Sequence, residues 1–566
     1  MCADSDEYFI GTEVPGVEPI PDGAFKGNEW NPTGGFKDKD YKIRKQAARF
    51  RVYAFDKDSK PLGEIKSKDY SLTWKVHVAN KKAAWVVHGS KYEKTKSDLR
   101  NAGVQGWPGE PGKWPYDYTS ERSDLIIDSG EQVIEGENAQ PIALQGVFQG
   151  STKSGTQVQL GELRTDDQGR LLVLASDGHS FSIHGDKDLN SDFDNVDWVD
   201  NMCDGSVRVT VKSKSNPELN IPVKNRATII TAPPRFASGT HCPTTLYELI
   251  EDIYEQHYSD EYDVGEIVYY RDIYPLFKRA YLMSWTNKYA NRGHGPARIS
   301  RFETRDMWDP QASNDARVRV MNDRIRLYVI DGDEKNKETR ETQANDEFMP
   351  RLAGDDAAGN AEPGNPNTWA SLTRLQYDRL KKWSTGDFTT GKQEEPYKSF
   401  DVIPLDKQPD ALTRSALEWS IGAALYPGIE VHWIVQLPEM YHPKERYRYA
   451  DTVKPGDLTK GLCLPWQSDF NMCHTDWWPS VRPDDVVTED YFQKMQAENP
   501  PEQLARKLTK RSPWAQGLDP RKDKGNSDMV DKWTKLGFVA RQKYEAQPDQ
   551  LEILIERERD PNFPRS

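Results

Sequence analysis

Between about residue 47 and residue 235, apolar side chains return at every second position in run after run. "ARFRVYAFD", "SLTWKVHVA", "QVQLGELR", "RLLVLAS", "SVRVTVKS" and "RATIITAPP" all show the alternation, and Gly, Asp, Asn or Pro bound them. A period of two sends successive side chains to opposite faces of a strand, so each run can offer one face to a core and the other to water. That is the pattern of antiparallel sheets with one wet face. The whole chain has 566 residues, enough by length for about two to four domains. A sizeable core is available even at 36% hydrophobic content.

Past residue 235 the period changes. "TTLYELIEDIYEQHY" puts Leu246, Leu249, Ile250 and Ile253 on one helical face, with Thr244 or Thr245 as cap. "YRDIYPLFKRAYLMSW" predicts a second helix that Pro275 must start, kink or split. Residues 331–367 are charged and rich in Gly, Asn and Pro, which predicts a long exposed loop. Helical spacing returns at "WASLTRLQYDRLKKW", "LTRSALEWSIGAAL" and "DYFQKMQAE". In "SDMVDKWTKLG", Ser527 or Asp528 is a candidate cap, Met529, Val530, Trp533 and Leu536 form an apolar stripe, and Gly537 ends the helix. The expectation is an α+β protein: a β-rich domain over 1–235, a helical segment with a loop excursion over 236–400, and a C-terminal domain over 401–566.

Composition narrows the function classes. The formal charge is −14 and basic clusters are as short as Lys81-Lys82, so the counterion release that drives nucleic-acid binding has no source. Seventeen tryptophans argue for packed aromatic cores and against disorder. No window reaches the roughly 20 apolar residues of a membrane helix, and "MCADSDEYFIG" has neither a basic n-region nor an apolar h-region. A soluble protein without a membrane partner is expected, cytoplasmic or exported by a non-classical route. The cysteines Cys2, Cys203, Cys242, Cys463 and Cys473 are scattered and odd in number, which does not make a disulfide framework.

One stretch, "LPWQSDFNMCHTDWW" at 464–478, gathers three tryptophans, a cysteine, a histidine and carboxylates. Zinc held by Cys463, Cys473, His474 and either His432 or His442 would lack the short Cys and His spacing of structural sites. A Cys463–Cys473 disulfide is open by spacing but unexpected without an oxidising compartment. A nucleophilic Cys473–His474 pair is weak, because neighbouring side chains rarely face each other. The plainest alternative is core: Trp466, Trp477 and Trp478 packed with Cys473 as a small buried hydrophobe.

The same stretch carries a resemblance. "PWQSDFNMC", then "WWPSVRPD", then "MVDKWTKLGFV" resemble the cysteine tryptophylquinone (CTQ)-dependent amino-acid oxidases, the family of lysine ε-oxidase and glycine oxidase. "EYFIGTEVPG", "GGFKD", "RKQAARFRVYAFD", "VHVANKKAAW", "LGELRTDDQGRLLVL", "WVDNMCDGSVRVTV", "ALEWSIGAALYPGIE" and "LCLPWQSDF" are similar to that family too, in its order. The resemblance implies a cofactor made from the chain itself. Trp533 would gain two oxygens as an ortho-quinone and be joined to the sulfur of Cys473, while Asp469, four residues before Cys473, matches the aspartate implicated in building it. Bonding sulfur to an aromatic ring needs a thiolate and removal of a ring proton, which a nearby carboxylate can accept.

The implied reaction is oxidative deamination of a free amino acid's primary amine. The amine attacks the quinone carbonyl, a base takes the adjacent C–H proton, and oxygen restores the ring, giving an aldehyde or oxo-acid, ammonia and hydrogen peroxide. Asp469 and Asp519 of "AQGLDP" are candidate bases, each expected to be buried with a raised pKa. Trp419, Ser420 and Tyr247 resemble pocket positions, where a Trp would narrow the pocket and a Ser leave it roomy. The family also implies a flavoprotein maturation partner and a homo-oligomer. Two departures stand out: the short apolar strand usually found ahead of "EYFIG" is missing, which suggests trimming, another start or a lost edge strand, and the connections are compact. The alternative is a silent relative in which the cluster is only packed core and the protein binds or supports.

Overall fold

The computed structural model describes residues 7–87, 99–104, 120–153, 155–296, 302–330, 332–354, 361–420, 433–470, 482–542 and 551–563. Cys2, His432, Cys473, His474, Trp477 and Trp478, together with the second half of the helix expected at 412–425, lie outside these residues, as does the side chain of Asp469.

The alternating runs become two five-stranded sheets. The first runs in the order Tyr8–Ile10, Lys45–Phe50, Leu171–Ala175, Thr156–Thr165, Ile142–Phe148; its opening pair is parallel (Tyr8 beside Lys45) and the rest are antiparallel. The second is centred on Tyr70–Asn80 and Cys203–Ser213, with Ile127–Glu135 beside the former and both Asn220–Ile221 and Ala227–Thr231 beside the latter. Residues one face apart on these strands meet in a common core. Trp74, Val76, Val78, Val207 and Val211 from one sheet cluster with Leu144, Val158, Leu163, Leu171 and Val173 from the other. This is the packing that two half-wet sheets require.

The helices follow the apolar spacing. Leu246–His257 starts at Thr245, whose hydroxyl takes the Glu248 amide while the Glu248 carboxylate takes the Thr245 amide. Arg374–Thr385 begins the same way at Thr373 and Gln376 and ends at Gly386 with φ of 90°. Both are reciprocal caps that satisfy orphan amides at the helix start. Pro275 does start a helix: Tyr274–Met283 has it in the first turn, after an irregular turn at Tyr269–Ile273. The molecule is α+β, a β-rich N-terminal region followed by helices and loops.

Two expectations need correcting. Residues 331–367 are not simply an exposed loop, since they contain the helix Glu334–Thr342, whose Asp333 carboxylate accepts from the amides of Lys335 and Asn336. The buried Arg340 anchors that helix by donating to the carbonyls of Leu327, Pro366 and Trp369. The last helix also starts earlier than Ser527, spanning Lys522–Lys532, and Ser527 accepts the Leu189 amide at 3.0 Å instead of capping. Its C-terminal end is a tight turn, Trp533–Lys535.

A larger core joins residues from Phe36 to Phe563 and takes in Trp466, Met529, Trp533 and Leu536. Leu464 and Val530 belong instead to the core between the sheets. The segments on either side of Trp466 and Trp533 therefore straddle the seam between the β-rich core and the helical one.

Candidate active site

Trp533 is the residue around which the described part of the site is built. It caps the helix Lys522–Lys532, its amide bonding to the Met529 carbonyl, and only 8% of it is exposed. The turn that follows is fixed from behind. The buried Lys37 ammonium donates to the Leu536 carbonyl at 2.9 Å, and the Trp514 indole donates to the Gly537 carbonyl at 2.8 Å. Burial pulls the Lys37 ammonium down to about 8, against the opposing pull of Glu558. The indole of Trp466 meets Trp533 edge to face, with ring centres 5.3 Å apart and planes at 80°.

The segment leading to Cys473 is held just as closely. Leu464 donates to Phe193 and its carbonyl accepts from both the amide and the side chain of Asn195, which splices it to the loop before Cys203–Ser213. Asp200, fully buried, receives the Trp466 amide at 2.9 Å and the Lys82 ammonium at 2.7 Å. Lys82 also donates to the Cys463 carbonyl at 2.8 Å. Burial lowers the Lys82 pKa and the charge of Asp200 opposes that fall, as expected for a buried ammonium kept only by its partner. The short helix Gln467–Phe470 packs on the helix Lys522–Lys532, so the backbone puts Asp469 beside the element that ends in Trp533.

A third segment joins these two. Gly178, in the turn after the strand Leu171–Ala175, accepts at its carbonyl from the Trp466 indole (3.0 Å) and the Gln467 side-chain amide (3.2 Å). Its φ is +74°, a region that favours glycine. A Cβ at this position would lie 2.9 Å from Trp533 Cζ2 and 3.0 Å from Cη2. Farther along the loop, the Leu189 amide donates to the Ser527 hydroxyl oxygen and the Asp192 carboxylate accepts from the Asn526 side-chain amide. Residues 178–200 of the β-rich region thus touch both the Trp533 helix and the segment carrying Asp469. Sequence reasoning did not single out Gly178, Asp200 or Lys82; a buried Lys and Asp far apart in sequence give no local signal.

The other expected residues divide. Trp419 and Ser420 meet the start of the helix Leu246–His257, where the Leu246 amide donates to the Ser420 carbonyl at 2.9 Å, next to Tyr247. Trp419 is buried and stacks on His241 at 4.0 Å, with the Arg235 guanidinium 5.8 Å from its ring. Burial, then the charges of Arg279 and Arg235, hold His241 well below the usual imidazole range, so it stands neutral. The Ser420 hydroxyl turns back onto its own helix at the Ala416 carbonyl. Tyr247 stacks on Tyr447 at 4.6 Å. Among the described residues no hydrogen bond, ion pair or ring stacking joins this patch directly to Trp533. Asp519 departs from its expected setting. It is partly exposed and gripped by Arg521 (2.9 Å to Nε), which holds its carboxyl well below the usual range rather than above it.

A cofactor made from Trp533 requires space at its ring and no competing side chain there. Gly178, close against the Cζ2–Cη2 edge, sets no side chain there, and the buried Gln467 side-chain oxygen has no hydrogen-bond partner among the described residues. The residues present fit such a group.

Models of the L-lysine epsilon oxidase N-terminal region and of the L-lysine epsilon oxidase C-terminal domain match residues 2–224 and 354–495. The chain belongs to the L-lysine ε-oxidase family. An L-lysine 6-oxidase of Marinomonas mediterranea is 26% identical over 502 residues, covering 77% of this chain; the chain spans 64% of that relative's length. Two solved structures of the L-Lys ε-oxidase from Marinomonas mediterranea, one of them its Schiff base intermediate with L-Lys, share the fold. Each has a TM-score of 0.69 and 21% identity, covering 99% of this chain and 93% or 92% of theirs.

Proposed function

We propose that this member of the family is an oxidoreductase that oxidatively deaminates a primary amine of a free amino acid, with a cysteine tryptophylquinone built from Cys473 and Trp533. The observation that carries this reading is the Trp533 indole, buried at a helix end with its Cζ2–Cη2 edge packed close on Gly178, a residue that sets no side chain there. In place, the group would supply an electrophilic carbonyl toward an amine and a two-electron sink emptied by dioxygen, with an aldehyde or oxo-acid, ammonia and hydrogen peroxide as products.

The chain's own residues set the stage for that chemistry. Trp466 closes one side of the ring and excludes water there. Asp200 and Lys82 fix the segment that leads to Cys473. Asp469, on the short helix beside the Trp533 helix, is our candidate for the proton transfers of assembly, and it shares the candidacy for catalysis. Asp519 is the poorer base, because Arg521 stabilises its ionised form.

The patch of Trp419, His241 and Tyr247 is our proposal for the substrate side. A buried Trp419 narrows such a pocket, and its indole N–H finds no acceptor among the described residues, leaving a donor for a substrate group. A flavoprotein helper in maturation and a homo-oligomeric state belong to the same reading.

Peptide mass tests it. Protein matured with its helper should yield one peptide pair joined through Cys473 and Trp533, heavier by two oxygens and lighter by four hydrogens. Two ordinary peptides would make the chain a silent relative. A peroxide-coupled screen of the amino acids, with L-lysine first because a relative bears its name, would identify the amine.

A further inference from the structure

We infer that Gly178 is the positioning residue of the cofactor: its carbonyl sets the register of the sulfur-bearing segment, and its missing side chain leaves the Cζ2–Cη2 edge of Trp533 free to take oxygen. The inference rests on the quinone reading above.

Three segments distant in sequence meet at this peptide. The Gly178 carbonyl collects the Trp466 indole N–H and the Gln467 side-chain amide, seven and six residues before Cys473. The same residue faces Trp533. A Cβ here would sit 2.9 and 3.0 Å from Cζ2 and Cη2 and 3.8 Å from Cε2. Being nearly equidistant from the first two carbons and farther from the third, it would lie over the outer edge of their bond rather than over the ring centre. These contacts are below ordinary van der Waals distance before any oxygen is attached. Oxygens on that edge would project toward the same space.

An ortho-quinone needs two adjacent C–H carbons of the six-membered ring, and sulfur takes another. Assembly removes the Cys473 thiol hydrogen and three Trp533 ring hydrogens, forms one C–S bond and two C=O bonds, and is balanced by two dioxygen molecules whose remaining oxygens leave as two waters. The edge facing Gly178 is an adjacent pair over which that residue sets no side chain. Even the smallest one would fill it.

The test compares wild type and Gly178→Ala, both matured with the helper, by peptide mass across Cys473 and Trp533. Melting temperatures are measured for both, and for Gly178→Ala in a Trp533→Phe background. The expected results are at least a tenfold loss of the oxygenated, cross-linked peptide in Gly178→Ala, and a melting shift that shrinks once the Cζ2–Cη2 edge is gone in Trp533→Phe. Wild-type levels of that peptide in Gly178→Ala overturn the inference, as does an equal shift in both backgrounds. Should Gly178→Ala fail to fold, the double variant must fold; if it also fails, backbone strain at φ +74° is the whole effect and the inference is wrong. If wild type itself shows two ordinary peptides, the quinone reading fails, and the melting comparison still reports whether Gly178 and Trp533 are in contact.

Discussion

Trp533 and Cys473 lie sixty residues apart, and in the proposed cofactor each would be required for a different reason. Trp533 supplies the ring, so Trp533→Phe should abolish peroxide production while the protein stays soluble, since an aromatic side chain still fills the helix end. Cys473 supplies the sulfur, and Cys473→Ala should give the same loss of peroxide. Retained peroxide in either variant refutes the assignment. Asp469→Ala should lower the cross-linked, oxygenated peptide by roughly a hundredfold or more, in the range typical of a lost general base. Its melting temperature should change little, because the work assigned to Asp469 is proton transfer and not packing. A variant that unfolds while its soluble fraction carries the full cofactor would put Asp469 in a structural role.

Among the elements, the contact between the loop at 178–200 and the segment at 463–467 matters most to the site. Asp200 and Lys82 are both fully buried, and removing one partner leaves the other charge without compensation. Lys82→Met should therefore cost about 3–5 kcal/mol in urea unfolding, and the cofactor-bearing peptide should fall with it. A loss below about 1 kcal/mol would mean the pair is incidental. The helix Leu246–His257 offers a milder case. Thr245→Ala breaks its reciprocal cap and should cost about 1 kcal/mol without changing the peptide mass, because among the described residues no hydrogen bond or ring stacking joins that helix directly to Trp533.

On the scale of the molecule, buried acids give stability a pH slope. Burial raises Glu558 to about 7, although the Lys37 amide and the Trp30 indole both donate to it. Its folded pKa stands above its ordinary value of 4.5, so across that window the folded state holds a proton the unfolded chain has released. Stability therefore falls as pH rises from about 4.5 to 7. Lys37, lowered from 10.5 to about 8, works the other way, adding stability as pH climbs between those values. Thermal melts should show wild type losing ground to Glu558→Gln between about pH 5 and pH 7; parallel curves would place Glu558 in water. The division at residues 235 and 400 is a proposal at this scale, and limited proteolysis would test it.

Local pattern determined much of the architecture. Alternation placed the strands because a half-buried sheet needs it, and Thr245 and Thr373 marked helix starts because orphan amides need acceptors there. The ordered motifs led to the family, and with it to Cys473, Trp533 and Asp469. Where pattern carried no apolar period the reading failed. Glu334–Thr342 is polar on most sides and is held by Arg340 reaching three carbonyls far along the chain. Asp519 looked like a base until folding gave it Arg521. Only tertiary structure could place Gly178 against Trp533, or Asp200 beneath Trp466, because those contacts join segments more than 250 residues apart. Their distances are set by how the β-rich core meets the helical one, and no local spacing encodes that.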